Sequence, residues 1–262
     1  IMNVGVSTAN LYPMRTEDAF KALLEAGFRT VEVFLNTESE ATAEFAAKLK
    51  KMAGDYGARI PALHSYNSSC EAFLLFSNYQ RRLEDGLKRL DEVFRSAEIV
   101  GAPYVIMHGD RPGGPLSVRE SVLRYEVLYD LGRARNVTLL LENVAYYRSA
   151  ELSYIEEMRR LLGEKAQFVF DLKQSVRCGI IPNRVISAMG AGIRHVHISD
   201  NDAERDCIIP GKGRMDYAGL LRKLKEYGFD GDLIIELYRS NFKEIGELVE
   251  AKKELNRIIG AL

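Results

Sequence analysis

The sequence predicts an α/β fold, a single (β/α)8 barrel of the TIM type, and three observations carry that prediction. Apolar runs too short to be independent helices recur eight times, at residues 3–8, 30–34, 59–64, 104–108, 138–142, 167–171, 193–197 and 232–236. Longer amphipathic segments separate them, so strand-like and helix-like stretches alternate along the whole chain. The length, 262 residues with 47% hydrophobic, matches the roughly 250 residues typical of such a barrel.

The strand-like runs are rich in Val, Ile, Leu and Phe, as expected of a parallel sheet whose outer face is covered by helices. Eight repeats favour closure over an open doubly wound sheet. The stretch after the first run, Ser7-Thr8-Ala9-Asn10, also lacks the Gly-rich turn of a dinucleotide-binding fold. The first helix opens at Thr16-Glu17-Asp18, with Thr16 as its expected N-cap and two acids in its first turn, and it closes at Ala26-Gly27. The second covers 40–56 and also ends at a glycine. The third, over 73–100, carries Leu83, Leu87, Leu90, Phe94 and Ala97 at helical spacing. The rest fall at 117–135, 149–162, 182–189, 216–227 and 242–259. Nothing reads as a linker or low-complexity segment, so one domain is expected over 1–262.

Charge and composition narrow the functional classes. Thirty-six basic and 37 acidic residues leave a net charge of −1, which gives no overall field to attract nucleic acid or an anionic membrane. No apolar run approaches the roughly 20 residues that span a bilayer. The start, Ile1-Met2-Asn3-Val4-Gly5-Val6, has neither a basic region nor an apolar core of the signal-peptide kind, so none is expected. Cys70, Cys178 and Cys207 are odd in number and widely spaced, which suits a reducing cytoplasm better than a disulfide framework. The aromatic segment 66–79, with Phe73, Phe76 and Tyr79, is a candidate lid or a contact in a homo-oligomer.

Polar residues recur at one place, the C-terminal end of the strands. His64 and His108 end the third and fourth; Glu142, Asp171, His197 and Glu236 end the fifth to eighth. In a barrel these ends converge on one face. Residues two positions earlier point the same way: Leu140 lies under Glu142, Val169 under Asp171, Ile234 under Glu236 and Ile106 under His108. Three carboxylates and up to three imidazoles in one cleft call for a cation. Mixed oxygen and nitrogen donors suit one divalent ion, Mn²⁺, Mg²⁺, Co²⁺ or Zn²⁺. His64 and His108 are candidate further ligands, which would allow a second metal. His195 shares the parity of His197 one layer deeper, where a supporting or core role is expected. Glu32 is either an inward polar group or part of a structural salt bridge.

At these residues the chain resembles the xylose isomerase-like TIM-barrel superfamily, which includes sugar isomerases and epimerases, inosose dehydratases and endonuclease IV. The resemblance spans essentially the whole chain. It rests on Leu141-Glu142-Asn143-Val144, Phe170-Asp171-Leu172, His195-Val196-His197-Ile198-Ser199-Asp200, Pro210-Gly211-Lys212-Gly213 and Ile235-Glu236-Leu237. It implies that Glu142, Asp171, His197 and Glu236 hold one metal and that Glu142 and Glu236 are the catalytic acid/base pair. It also departs from its relatives: Asp171-Leu172-Lys173-Gln174 has Gln174 where endonuclease IV and many epimerases have histidine, and Arg205-Asp206-Cys207 lacks a second nuclease histidine.

The expected activity is therefore metal-dependent isomerisation or epimerisation of a sugar, sugar phosphate or similar hydroxy-carbonyl compound through a metal-stabilised enediolate. His64, His108, Gln174, Arg205 and Lys212 are the expected substrate contacts, with Arg214 and Arg239 as further basic candidates near the mouth. The alternatives are an endonuclease IV-related phosphodiesterase using His64, His108 and Glu142 for a second metal, a metal-dependent lyase, and a non-catalytic sugar-binding protein. The neutral charge and the two departures argue against nucleic acid as partner.

Overall fold

The structure is a computed structural model that describes residues 2–66 and 70–262. Eight parallel strands close into a barrel in sequence order: β1 (Asn3–Ser7), β2 (Val31–Phe34), β3 (Ala62–His64), β4 (Tyr104–Met107), β5 (Thr138–Glu142), β6 (Phe168–Asp171), β7 (Ile193–Ile198) and β8 (Asp232–Ile235). The seam is β1 against β8, with Asn3 opposite Asp232 and Val6 opposite Ile235. Every predicted strand is present. The largest trim is at β3, where Arg59 makes only an isolated bridge to Thr30. Pro61 follows it, and with no N–H to give the ladder it delays regular pairing to Ala62.

The helices are α1 (Thr16–Glu25), α2 (Ala43–Asp55), α3 (Glu71–Leu74), α4 (Gln80–Val100), α5 (Val118–Arg133), α6 (Leu152–Leu162), α7 (Leu172–Arg177), α8 (Pro182–Met189), α9 (Tyr217–Glu226) and α10 (Ile245–Gly260). Three expectations need correction. Thr16 is the first residue of α1 and not its cap; its hydroxyl donates to the Glu40 carboxylate at 2.9 Å instead. The long helix expected over 73–100 is two, α3 and α4. Between them Leu75 and Phe76 are fully buried, and the Ser77 hydroxyl accepts from the Tyr79 N–H, a local bond that competes with helix continuation. Helix α7 is an addition to the helices expected from the sequence. Asp171 caps it by accepting from the Gln174 N–H at 2.9 Å.

The main core packs between the strands and the helical ring. Inside the barrel lies a separate small cluster, Ala62, Ile106, Leu140 and Val169, all fully buried. Each of the larger three contributes on the order of 1.5–3 kcal/mol by leaving water. These are the residues that alternation places beneath the strand-end polar groups. The opposite side of the interior is polar, with Glu32 and His195 both fully buried. Among the described residues no helix is long and apolar enough to cross a membrane.

Candidate active site

The barrel brings the six strand-end groups together. Glu142 is the hub. Its Oε1 lies 2.9 Å from His197 Nδ1, and its Oε2 lies 3.3 Å from His64 Nε2 and 3.1 Å from His108 Nε2. His197 Nδ1 also faces Glu236 Oε2 at 3.4 Å and Asp171 Oδ2 at 3.6 Å. One donor atom from each of Glu142, Asp171, His197 and Glu236 falls within 4.8 Å of the other three, and His64, His108 and Glu142 form a second such group. Asp171 Oδ2 is buried and accepts no well-formed hydrogen bond. Its close partners are ion-pair contacts, Lys173 Nζ at 3.3 Å and His197 Nδ1 at 3.6 Å; a carboxylate oxygen buried without a hydrogen bond is costly, and a divalent ion among these four donors would satisfy it more fully. The set fits a divalent metal. His108 is the most open of the six, with its side chain 17% exposed, so the cluster meets solvent on that side.

Burial and mutual attraction compete at each group. For Glu142, burial pushes the carboxyl up, but His197, His108 and His64 together hold it well below the usual carboxylate range. For His197, burial pushes the imidazole down, and Glu236, Glu32 and Glu142 outweigh it, so it lies well above its ordinary value. Glu236 is lowered: burial opposes ionisation, but His197 and Lys173 prevail. Burial wins at Asp171, which is raised. Without a metal, these carboxylates are balanced by protonated imidazole and ammonium groups.

The structure adds four participants that the strand ends do not mark. Lys173, on the first turn of α7, donates to Glu236 Oε2 at 2.8 Å and lies 3.3 Å from Asp171 Oδ2. Glu32 reaches from β2 across the interior, where its Oε2 meets His195 Nε2 at 2.6 Å and His197 Nε2 at 3.1 Å. That contact turns Nδ1 of His197 toward the carboxylates. It also gives His195 the supporting position its parity suggested. Glu71, from α3, accepts from the His108 and Gly109 N–H groups at 2.8 Å each, pinning segment 70–79 beside the site. Residues 67–69 of the candidate lid lie outside the described residues. Asn143 fastens the end of β5 to β6, donating to the Asp171 carbonyl and accepting from the Asp171 N–H. The alternation of strand residues marks Glu32 as inward; nothing local marks Glu71.

The peripheral candidates go elsewhere. Gln174 is buried, and its side-chain oxygen accepts from the Ala145 N–H. Arg205 is exposed and ion-paired to Asp202; it lines a cavity of about 510 Å³ with Arg177, Cys207 and Tyr238. Lys212 lines a cavity of about 590 Å³ against α10. The Gly211-Lys212-Gly213 backbone wraps an internal anion: the N–H groups of Gly211, Gly213 and Met215 donate to Asp200 at 2.9, 3.1 and 3.0 Å. A Cβ on Gly213 would collide with Asn201 O and Asp200 Oδ1, so close packing on Asp200 requires glycine there. Cys207 is buried, which pushes its thiol up to about 11.

Comparison with known proteins agrees with this architecture. An uncharacterised protein of Mycobacterium leprae is 25% identical over 272 residues, covering 94% of this chain and 92% of its own. One of Mycobacterium tuberculosis is 26% identical over 270 residues, with the same coverage. A D-tagatose 3-epimerase-like protein superimposes with a TM-score of 0.82 at 18% identity, covering 99% of this chain and 98% of that one. A D-psicose 3-epimerase solved in the presence of D-fructose gives 0.77 at 13%, covering 98% and 97%. At such identities the structural likeness shows the shared fold. The profile of one family, however, matches residues 20–258, nearly the whole chain, and so this chain belongs to the xylose isomerase-like TIM-barrel family.

Proposed function

We propose that the protein is a divalent-metal-dependent isomerase or epimerase acting on a sugar, sugar phosphate or related hydroxy-carbonyl compound. The observation that carries this reading is the convergence of Glu142, Asp171, His197 and Glu236 from four consecutive strands on one buried point. These four residues would hold the ion. When bound, it supplies positive charge against the negative charge that builds on a substrate oxygen as a neighbouring carbon loses its proton. Epimerase-type neighbours in the same fold support the substrate class.

The chain's own residues then move the proton. Glu142 ends β5 and Glu236 stands just beyond the end of β8, three strands further round the barrel. Both carboxyls lie below their ordinary range, so both are ionised near neutral pH and able to act as bases. One takes the carbon-bound proton and later releases it to solvent; the other must first take up a proton from solvent, which it then delivers to the opposite face of the same carbon. His108, at the open edge of the cluster, would hydrogen-bond a substrate hydroxyl, with the buried His64 behind it at 3.2 Å.

The test combines metal analysis with proton exchange. Purified protein loaded with Mn²⁺, Co²⁺, Mg²⁺ or Zn²⁺ is incubated in deuterated water with ketopentoses, ketohexoses and their phosphates. One bound ion and deuterium incorporation next to the carbonyl are expected. Loss of water from the exchanging sugar would redirect the assignment to a lyase, and binding without exchange would indicate a sugar-binding protein. A second reading rests on the group His64, His108 and Glu142, which could complete a two-metal centre. Two bound ions together with cleavage of abasic duplex DNA would favour that phosphodiesterase over the isomerase.

A further inference from the structure

One cation already sits inside the carboxylate cluster. The Lys173 side chain is only 5% exposed, and its ammonium touches Glu236 Oε2 at 2.8 Å and Asp171 Oδ2 at 3.3 Å. These are the same two oxygens that face His197 Nδ1, and so the same two that a metal at this site would need. Three carboxylates buried together, with Glu32 beneath them, are strongly unfavourable unless positive charge is buried with them. Lys173 supplies that charge from within the chain.

We propose that Lys173 is a built-in competitor of the metal: its ammonium and a divalent ion are alternative partners for Asp171 Oδ2 and Glu236 Oε2. The metal-free site is then a charge-satisfied folded state, and metal affinity is lower than the four ligands alone would give. Loading requires the ammonium to yield at least one oxygen. The Tyr238 ring offers it a place: Nζ already stands 5.3 Å from the ring centroid, and Tyr238 is half-exposed at the mouth. A cation over a tyrosine face keeps a favourable contact while it retreats from the carboxylates.

This inference rests on the metal-centre reading, and the experiment separates the two. Wild type and Lys173→Met are purified with Mn²⁺ present, stripped with a chelator, and titrated with Mn²⁺ by calorimetry. Lys173→Gln covers the case in which the methionine variant does not fold. The expected result is Mn²⁺ affinity about tenfold or more higher in the variant, the scale on which groups next to a metal's ligands act. The thermal midpoint of the variant should fall below wild type in chelator, and the gap should close in saturating Mn²⁺. A merely structural lysine would instead lower the midpoint equally in both conditions and leave the affinity unchanged or weaker. Equal or weaker Mn²⁺ binding by the variant overturns the competitor role and leaves the metal centre standing. No Mn²⁺ uptake by either protein overturns the metal centre, and the competitor with it.

Discussion

The two halves of the barrel mouth are built differently. Strands β5 to β8 and the helix after β6 supply opposed charges in direct contact: Glu142, Asp171, Lys173, His197 and Glu236. Strands β1 to β4 supply mostly neutral contacts that hold the chain in shape. Thr8 accepts from the Phe34 N–H, His64 stacks on Phe34 with ring centroids 4.2 Å apart, and Asn10 ties β1 to the end of β8. The first half reaches the charged centre through Glu32, His64 and His108. The ionic half has few ways to balance its charge except with a cation, whereas the hydrogen-bonded half balances itself. That difference is the reason for assigning the proposed chemistry to the ionic half.

The sharpest test sets one half against the other. Glu142→Gln and Glu236→Gln should each lower turnover by about 10²–10⁴-fold, the usual contribution of a positioned acid or base, with circular dichroism unchanged. His64→Asn, on the other side, should cost less in turnover and act mainly on KM. Steady-state kinetics on the substrate found by proton exchange would decide. A His64 variant as damaged as Glu142→Gln would mean that both halves carry the reaction.

Much of this was legible in the sequence because strand alternation is strict. A polar residue ending an apolar run must face inward at the mouth, which found Glu142, Asp171, His197, Glu236, His64 and His108, and the apolar Leu140, Val169 and Ile106 below them. Residues on helices and loops escaped the same logic. Lys173 lies one turn past a strand, where no period fixes its direction, and Glu71 arrives from a short helix 37 residues before His108. The Gly211-Lys212-Gly213 loop suggests backbone free to meet a ligand, but its glycine N–H groups are taken by Asp200 and that of Lys212 by the Ile209 carbonyl. Such partners depend on tertiary closure, which no local pattern encodes.

Glu32 is a buried link between the halves. It fixes His197 by its Nε2, so that Nδ1 faces the carboxylates. Glu32→Gln should therefore weaken metal binding by about 10–100-fold, as loss of a ligand's outer partner commonly does. Calorimetry with Mn²⁺ measures it. Unchanged affinity would make Glu32 and His195 a self-contained pair and separate the halves completely.

The pH response should differ between loaded and stripped protein. Burial lowers the His197 pKa, but Glu236, Glu32 and Glu142 raise it more, so the stripped protein holds this proton above the ordinary histidine range. A raised folded-state pKa adds stability that is complete below the unfolded value of about 6.5 and is lost as pH rises through the folded value. The thermal midpoint of chelated protein should thus decline relative to the metal-loaded form as pH climbs from neutral into the alkaline range. Metal uptake needs neutral imidazole and should release a proton, visible as a buffer-dependent heat. Parallel curves for the two forms would mean that His197 is not the shared group.

The smallest effect belongs to the seam. Asn10 Nδ2 donates to the Ile235 carbonyl at 2.9 Å, and its Oδ1 accepts from the Leu237 N–H. These bonds bracket Glu236, the one site carboxylate that stands just past its strand, where its own N–H still donates to the Ile198 carbonyl of β7 at 3.2 Å. Asn10→Ala leaves a buried carbonyl and a buried N–H without partners, at a cost of about 1–3 kcal/mol for each group so exposed. The thermal midpoint should drop by several degrees, since about 1 kcal/mol shifts a chain of this size by roughly 2–4 °C. Turnover should fall only modestly, because Lys173 and His197 still hold the Glu236 carboxylate from the ionic side. A large loss of turnover with little loss of stability would reverse that order, showing that the hydrogen-bonded half aims Glu236 while the charges merely accompany it.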